Sequence, residues 1–453
     1  MMTNSTGLAG RKATPRLWPA PAVIVSVVMA VLAALYLGGT VNPADHLSGF
    51  PVAIVDADTG VTTAHGQRVD IGEQIAGSLR EGVDHDKFDL RSLSLAEAKH
   101  ELGRAELYGA IVLPPDLSRK LTSLASGAVT GATVQRPQIT VYTNPLANTS
   151  SASVVNTLAT KALTRANAAV GKQLLAQVTS ARAETAAAQA RPGAAPAQAR
   201  AVPGTARLVL STPMDVRVTP FERVPDGTGN GLSAFYYALL LVLAGFTGSL
   251  IVSNLVDSRL GFTPQELGPV YRMERHSGRS RLATLVLKWG IMTGVAAVVS
   301  TIYLAIADGL GMPVDHPWQL WALGVLAITA VAVVVQAVLA LLGSLGLVVN
   351  LFLFIVLSVP SAGGAAPLEA TPSAVRFLGT FEPLHQIYVG VRSVLYFGAV
   401  WDAGLGRAVT AAAAALVLGL GAGALGTLAY DRKGLVRRHA APSAEVPAAA
   451  GAA

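Results

Sequence analysis

Three groups of residues have the types and spacing that chemistry would need. Asp56-Ala57-Asp58-Thr59-Gly60 sets two carboxylates two positions apart, as at the start of a calcium loop. An EF-hand loop also needs Gly at its sixth position and Glu at its twelfth. Here those positions hold Val61 and Gln67, so the segment reads as a turn after a strand. A second group, Gly363, Gly364, Pro367, Glu369, Glu382, His385 and Arg392, is scattered through an otherwise apolar segment at 361–407. The third is cationic: Arg259, Arg272, Arg275, Arg279 and Arg281, opposed only by Asp257, Glu266 and Glu274. No G-x-x-x-x-G-K-[ST] phosphate cradle, H-E-x-x-H, G-x-S-x-G or strand-to-helix G-x-G-x-x-G occurs. The eight histidines show no ligand spacing, and with no cysteine there is no thiolate nucleophile or thiolate metal site. The chain is not expected to be an enzyme, and no catalytic residue, cofactor or metal is assigned.

What must position these groups is a set of apolar stretches. One covers roughly 17–38, and five more fall near 233–254, 283–305, 318–341, 344–361 and 408–429. An almost uncharged run of about 18 or more residues is long enough to cross a bilayer as a helix. Composition agrees: 52% of residues are hydrophobic and 13% charged, about half the charged share of a soluble chain. The predicted fold class is an α-helical polytopic membrane protein of six transmembrane helices with an inserted extracytoplasmic α/β domain. The first stretch reads as an uncleaved signal anchor, with a cleaved signal peptide as the alternative; no A-x-A pattern follows it.

Charge sets the expected orientation. Arg11, Lys12 and Arg16 precede the first stretch, the arginine-rich loop lies at 255–282, and Arg432, Lys433, Arg437 and Arg438 follow the last. The loop at 307–317 holds Asp308 and Asp315 and no Lys or Arg. This is the positive-inside pattern for two cytoplasmic termini at the cell (plasma) membrane. It accounts for the net charge of +7, so no nucleic-acid partner is expected; the lipid bilayer is the expected partner. The layout is a cytoplasmic N-terminus (1–16), a first helix (17–38), an extracytoplasmic domain (39–230), a five-helix membrane domain (231–429) and a basic tail (430–453).

Within 39–230, short apolar runs alternate with helical ones. Strands are predicted at Pro51–Val55, Lys87–Leu93 (an edge strand), Tyr108–Leu113 and Gln138–Tyr142. Helices are predicted at Asp70–Arg80, after the Ser94-x-x-Glu97 capping box, and from Asp116 to about Leu124. From 150 to 188 an Ala-rich helix carries Val154, Leu158, Ala162, Ala166, Val170, Leu174 and Val178 as one stripe. Such a stripe needs a cover: the α/β unit, a second protomer or a bound protein. A flexible linker (189–204) follows, and 207–222, alternating around Leu208, Leu210, Val216 and Val218, is predicted to return as strands.

Inside the spans, Lys288 sits about one turn from the basic end and is expected to snorkel. Asn254, Gln336 and Asn350 are expected to hydrogen-bond across helices, and Gly290-x-x-x-Gly294 and Gly419-x-x-x-Gly423 to permit close helix contact. With no Asp or Glu assigned to the spans, ion-driven transport is disfavoured. Gly343-Ser344-Leu345-Gly346 reads as a tight turn, and 361–407 as short helices lying in, or dipping into, the outer interface, a re-entrant-like loop.

Val52-Ala53-Ile54-Val55-Asp56-x-Asp58-x-Gly60, with Ala98-Lys99-x-x-Leu102 and Tyr108-Gly109-Ala110-Ile111-Val112-Leu113-Pro114-x-Asp116-Leu117-Ser118, resembles the external domain of YhgE/Pip-type proteins. The later Ser-x-Gly-Gly-x-x-Pro-x-Glu and Gly-x-Arg of the outer loop, and the 1+5 layout, resemble the same family, the yeast nitrosoguanidine-resistance group and type-2 ABC exporter permeases. The resemblance implies a permease-like subunit for export or tolerance of a hydrophobic or amphipathic compound, with a separate ATP-binding subunit and a possible homodimer. On that reading Arg259, Arg272, Arg275 and Arg279 are the candidate ATPase-docking loop, or a topology anchor alone. Gly363, Gly364, Pro367, Glu369, Glu382, His385 and Arg392 are then the candidate substrate or gate residues. The alternative is an envelope scaffold or secretion-machinery component recruiting partners through the external domain.

Overall fold

The structure is a computed structural model and describes residues 19–40, 45–62, 68–130, 134–189 and 204–435. The segment expected as cytoplasmic N-terminus, the linker apart from its end residues, and the tail beyond 435 lie outside the described residues.

Helix α1 (Pro19–Thr40) coincides with the first apolar stretch and contains no charged residue. The α/β domain then folds as β1 (Phe50–Asp56), β2 (Val61–Thr62), β3 (Arg68–Val69), α2 (Ile71–Glu81), β4 (Phe88–Ser92), α3 (Leu95–Leu102), β5 (Gly109–Leu113), α4 (Leu117–Thr130), β6 (Gln138–Thr143), α5 (Ser151–Gln189), α6 (Gly204–Ser211) and β7 (Asp215–Pro220). Its main sheet has the order β4-β1-β5-β6-β7, with β1 parallel to both neighbours, β5 and β6 antiparallel, and β4 at an edge as predicted. Strand β1 is buried on both faces, which is why its sequence is continuously apolar. Phe50, Val52 and Ile54 face α2, α4 and α5, whereas Ala53 and Val55 pack with Ala98 and Leu102 of α3. Each large side chain so buried contributes about 1.5–3 kcal/mol. The predicted Ser94–Glu97 box forms reciprocally, and Asp70 caps α2 by accepting from the Glu73 amide at 3.0 Å. The Asp56–Gly60 turn is closed by Asp58, which accepts from the Gly72 amide (3.2 Å) and the Ser118 amide (3.1 Å) and from the Ser118 hydroxyl.

One expectation for this domain changes. Residues 204–211 form a helix, not a strand. Leu208 is exposed and Leu210 buried, a short alternation that a helix packed on α5 satisfies equally well. The two helices meet so closely there that a Cβ on Gly171 would lie 2.6 Å from the Leu210 carbonyl. The α5 stripe, for its part, is covered by this same chain. Val155, Leu158, Ala159, Leu163, Ala166, Val170, Leu174 and Val178 are buried in the common core, with α4, α6 and α2 against the helix. At 3.6 residues per turn the buried line drifts off a strict four-residue spacing, so Val154 and Ala162 are only partly covered.

The membrane-type half comprises α7 (Leu232–Arg259), a hairpin of β8 (Gln265–Leu267) and β9 (Val270–Arg272), α8 (Arg281–Gly309), α9 (Pro317–Leu342), α10 (Ser344–Leu351), α11 (Ser358–Ser361), α12 (Ser373–Gly379), α13 (Pro383–Tyr396) and α14 (Gly406–Arg432). Among the described residues five helices, not the six expected, are long and apolar enough to cross a membrane, with α10 and α11 joined by a π-turn at Phe352–Val356 into one of them. Helix α9 is central, touching α7, α8, α10, α13 and α14. At its end Gly343 (φ +59°) turns the chain, and a Cβ on Gly346 would meet the Val338 carbonyl at 2.7 Å. The α/β domain abuts the end of the bundle holding Gly231 and Gly311, here the domain side; the end holding the hairpin and Arg432 is the far side.

Several polar residues of the spans differ from expectation. Lys288 does not snorkel: it is buried and its Nζ lies 2.9 Å from Asp257 Oδ2. Helix α7 runs on to Arg259, so Asp257 belongs to its last turn and not to the loop. The spans therefore do contain a paired carboxylate. Asn350 donates across to the Val335 carbonyl at 3.0 Å, as predicted, but Asn254 is exposed. The Gln336 amide is buried with no hydrogen-bond partner among the described residues. Gly419 and Gly423 are in tight contact with α9 and Trp289, whereas nothing lies within 4 Å of a Cβ on Gly290 or Gly294.

Candidate functional site

The segment at 361–407 does not lie flat on the bundle. Pro383 at the first helical position and Glu382 as cap start α13, and every residue from Leu384 to Tyr396 is buried among α7, α9 and α14. The Glu382 carboxylate, 4% exposed, accepts from the Ser358 hydroxyl at 2.6 Å and the His385 amide at 2.7 Å. Burial pushes its pKa up to about 7, against the lowering effect of those two donors. His385 Nδ1 lies 2.8 Å from the Ala362 carbonyl, which only accepts, so Nδ1 carries the proton. Burial lowers the pKa of this ring to about 4.

The same segment fastens the α/β domain. Asn148, 1% exposed, donates through Nδ2 to the carbonyls of Gly363 (2.6 Å) and Gly364 (3.2 Å). Gly363 has φ +73°, and a Cβ on Gly364 would run into the Phe235 ring. Pro367 is buried and leads into a 3-10 turn at Leu368–Ala370. The Tyr108 hydroxyl donates to Glu369 Oε2 at 3.0 Å, and the Ser48 amide to the Glu369 carbonyl at 2.9 Å. Burial, then the Glu369 charge, raises the Tyr108 pKa, keeping the hydroxyl a donor. Arg392, under the Ala147 carbonyl to which its Nη1 donates, lies over the rings of Tyr388 and Phe397. All seven candidates of 361–407 thus fall on one joint, and of them Glu369 and Arg392 line open cavities.

Two cavities flank α13. The first, about 400 Å³, is a groove between α9, α10 with its π-turn, α13 and α14, walled by Ala327, Ala330, Val334, Ala411, Ala415 and Gly419 among others, with Gln386 almost its sole polar wall. Small side chains on α9 and α14 leave the space open. The second, about 450 Å³, is polar, bounded by Arg104, Glu106, Arg392, Asp402 and Arg407 at the domain side. Arg407 Nε donates to Gln386 Oε1 at 2.7 Å, so one side-chain pair divides the two spaces.

The cationic candidates Arg259, Arg272, Arg275 and Arg279 are exposed on the far side, on and around the β8–β9 hairpin, with Arg272 paired to Glu274 at 3.0 Å. They are remote in the fold from the outer-loop group, and the structure does not unite the two sets. The residues that sequence reasoning passed over are Asn148, Tyr108, Gln386 and Arg407. Arg407 stands at the edge of an uncharged stretch, a visible signal; Asn148 opens an Asn-Thr-Ser tripeptide, and its burial shows the amide engaged within the fold.

These features define a membrane-type protein: mostly helical, with five membrane-compatible helices among the described residues that indicate contact with a lipid bilayer, and a small sheet domain joined to them. Over residues 21–420 the chain matches the model of the family described as Protein of unknown function (DUF3533), and it belongs to that family. No curated protein and no solved structure matches it.

Proposed function

We propose that this chain is a six-span membrane subunit that takes up an amphipathic, lipid-like compound from the bilayer for export or tolerance, with its α/β domain outside the cell and a separate ATPase supplying energy. The observation that carries this reading is the apolar groove between α9, α13 and α14. A cavity of that size lined by alanines suits an alkyl chain, since apolar walls give it burial without polar groups to desolvate. The far side carries Arg259, Arg272, Arg275, Arg279, Arg281 and Arg432, the domain-side loop Asp308 and Asp315, which favours a cytoplasmic far side and makes the hairpin the natural contact for an ATPase.

The test is photo-crosslinking of a diazirine fatty-acid analogue to the full chain in nanodiscs. Labelling is expected on α9 and α14 peptides. Ala415→Trp, which fills the groove, is expected to abolish it and to remove any compound tolerance in cells. Val298→Trp, on an exposed position of α8, is expected to change neither. Labelling that ignores Ala415→Trp would refute the reading.

A further inference from the structure

The polar cavity supplies what a bare alkyl groove lacks, a headgroup site. Arg104 is engaged by Asp402 at 2.5 Å, and Glu106 is exposed at the rim. Arg392 and Arg407 have no carboxylate within 4 Å among the described residues. Arg392 is nine-tenths buried; its Nη1 serves the Ala147 carbonyl, and its Nε has no partner among the described residues. Two guanidinium groups thus face one cavity with no carboxylate paired to either, an arrangement that an anion relieves. Arg407 also stands one helical turn before Ala411, where α14 begins to line the groove. From Ala411 to Ala422 that wall is about 17 Å long at 1.5 Å per residue, close to the ~15 Å of one leaflet's hydrocarbon.

We infer that the two cavities form one site for an anionic membrane phospholipid of the domain-side leaflet, its phosphate between Arg392 and Arg407 and an acyl chain along α14. The inference rests on the groove being a lipid site, as proposed above, and adds the charge of the headgroup and the residues that read it. No bond is made or broken; selection is electrostatic.

The experiment uses the full chain in nanodiscs with two photoactivatable lipids of identical chains, a phosphatidylglycerol and a phosphatidylcholine. The anionic lipid is expected to label α14 about tenfold more, the factor one charge-assisted hydrogen bond supplies. Arg407→Gln, at an exposed position, is expected to erase most of that preference. Arg392→Lys, which keeps the charge, is expected to retain part of it, and Arg392→Gln none. Equal labelling of the native chain by both lipids overturns the headgroup assignment and leaves the groove reading standing. A preference untouched by Arg407→Gln and Arg392→Gln does the same. Loss of the preference in millimolar inorganic phosphate, with chain labelling unchanged, supports a phosphate site; absence of groove labelling by either lipid sinks both proposals.

Discussion

At the scale of single residues the joint around α13 is controlled by two buried groups with opposed titrations. The fold holds Glu382 more protonated than an ordinary glutamate, so its contribution is present below about 4.5 and lost as pH rises through about 7. The fold holds His385 neutral, so its contribution is present above about 6.5 and lost as pH falls through about 4. Between pH 4.5 and 6.5 the slopes oppose, and thermal melts of the native protein in detergent are expected to be nearly flat there. His385→Gln should expose the Glu382 slope, the melting temperature falling from pH 4.5 to 7. Glu382→Gln should expose the other, with the melting temperature rising from pH 4 to 6.5. Parallel pH profiles in all three proteins would contradict the assignment. Asn148 is the second test at this scale. Asn148→Ala leaves two buried carbonyls without their donor and is expected to cost about 1–3 kcal/mol, read as a lower melting temperature and faster proteolysis between the domain and the bundle.

At the scale of elements, small residues act in opposite ways that spacing alone does not distinguish. Gly423 faces Trp289 and Ala337 at 2.8 and 3.1 Å from its would-be Cβ, and Gly290 faces nothing within 4 Å. Gly423→Val is therefore expected to overpack α14 against α9 and destabilise by about 1–3 kcal/mol, with Gly290→Val near neutral; detergent melting curves of the two variants check this. The comparison also shows where legibility ended. The strands and helices of the α/β domain could be read because Val52–Val55, Ile111 and Leu113, and the Ser94–Glu97 box carry their period and caps locally. The hidden helix at 204–211 could not, because Leu208 and Leu210 satisfy either period and only contact with Gly171 decides. The Lys288–Asp257 pair was missed since it depends on how far α7 extends beyond its apolar run. The candidate site was half legible: the polar residues of 361–407 were visible, but not that Asn148, some 215 residues earlier, meets them.

For the whole molecule, the question is which way it sits in the membrane and whether its two halves move as one. The joint answers the second: Asn148 on Gly363 and Gly364, Tyr108 on Glu369, Arg104 on Asp402 and Ala147 over Arg392 tie the α/β domain to the very segment that walls both cavities. A load on the domain is therefore expected to reach α13, whose spacing from α9 and α14 bounds the groove. The orientation can be tested because the chain has no cysteine, so one introduced thiol reports one position. Arg217→Cys, on an exposed strand of the domain, is expected to react with a membrane-impermeant maleimide on intact cells. Tyr271→Cys, in the exposed far-side hairpin, is expected to react only after the cells are opened. The reverse pattern would invert the topology and place the phospholipid site in the inner leaflet, and with it the ATPase contact would have to move from the arginine hairpin to the α/β domain.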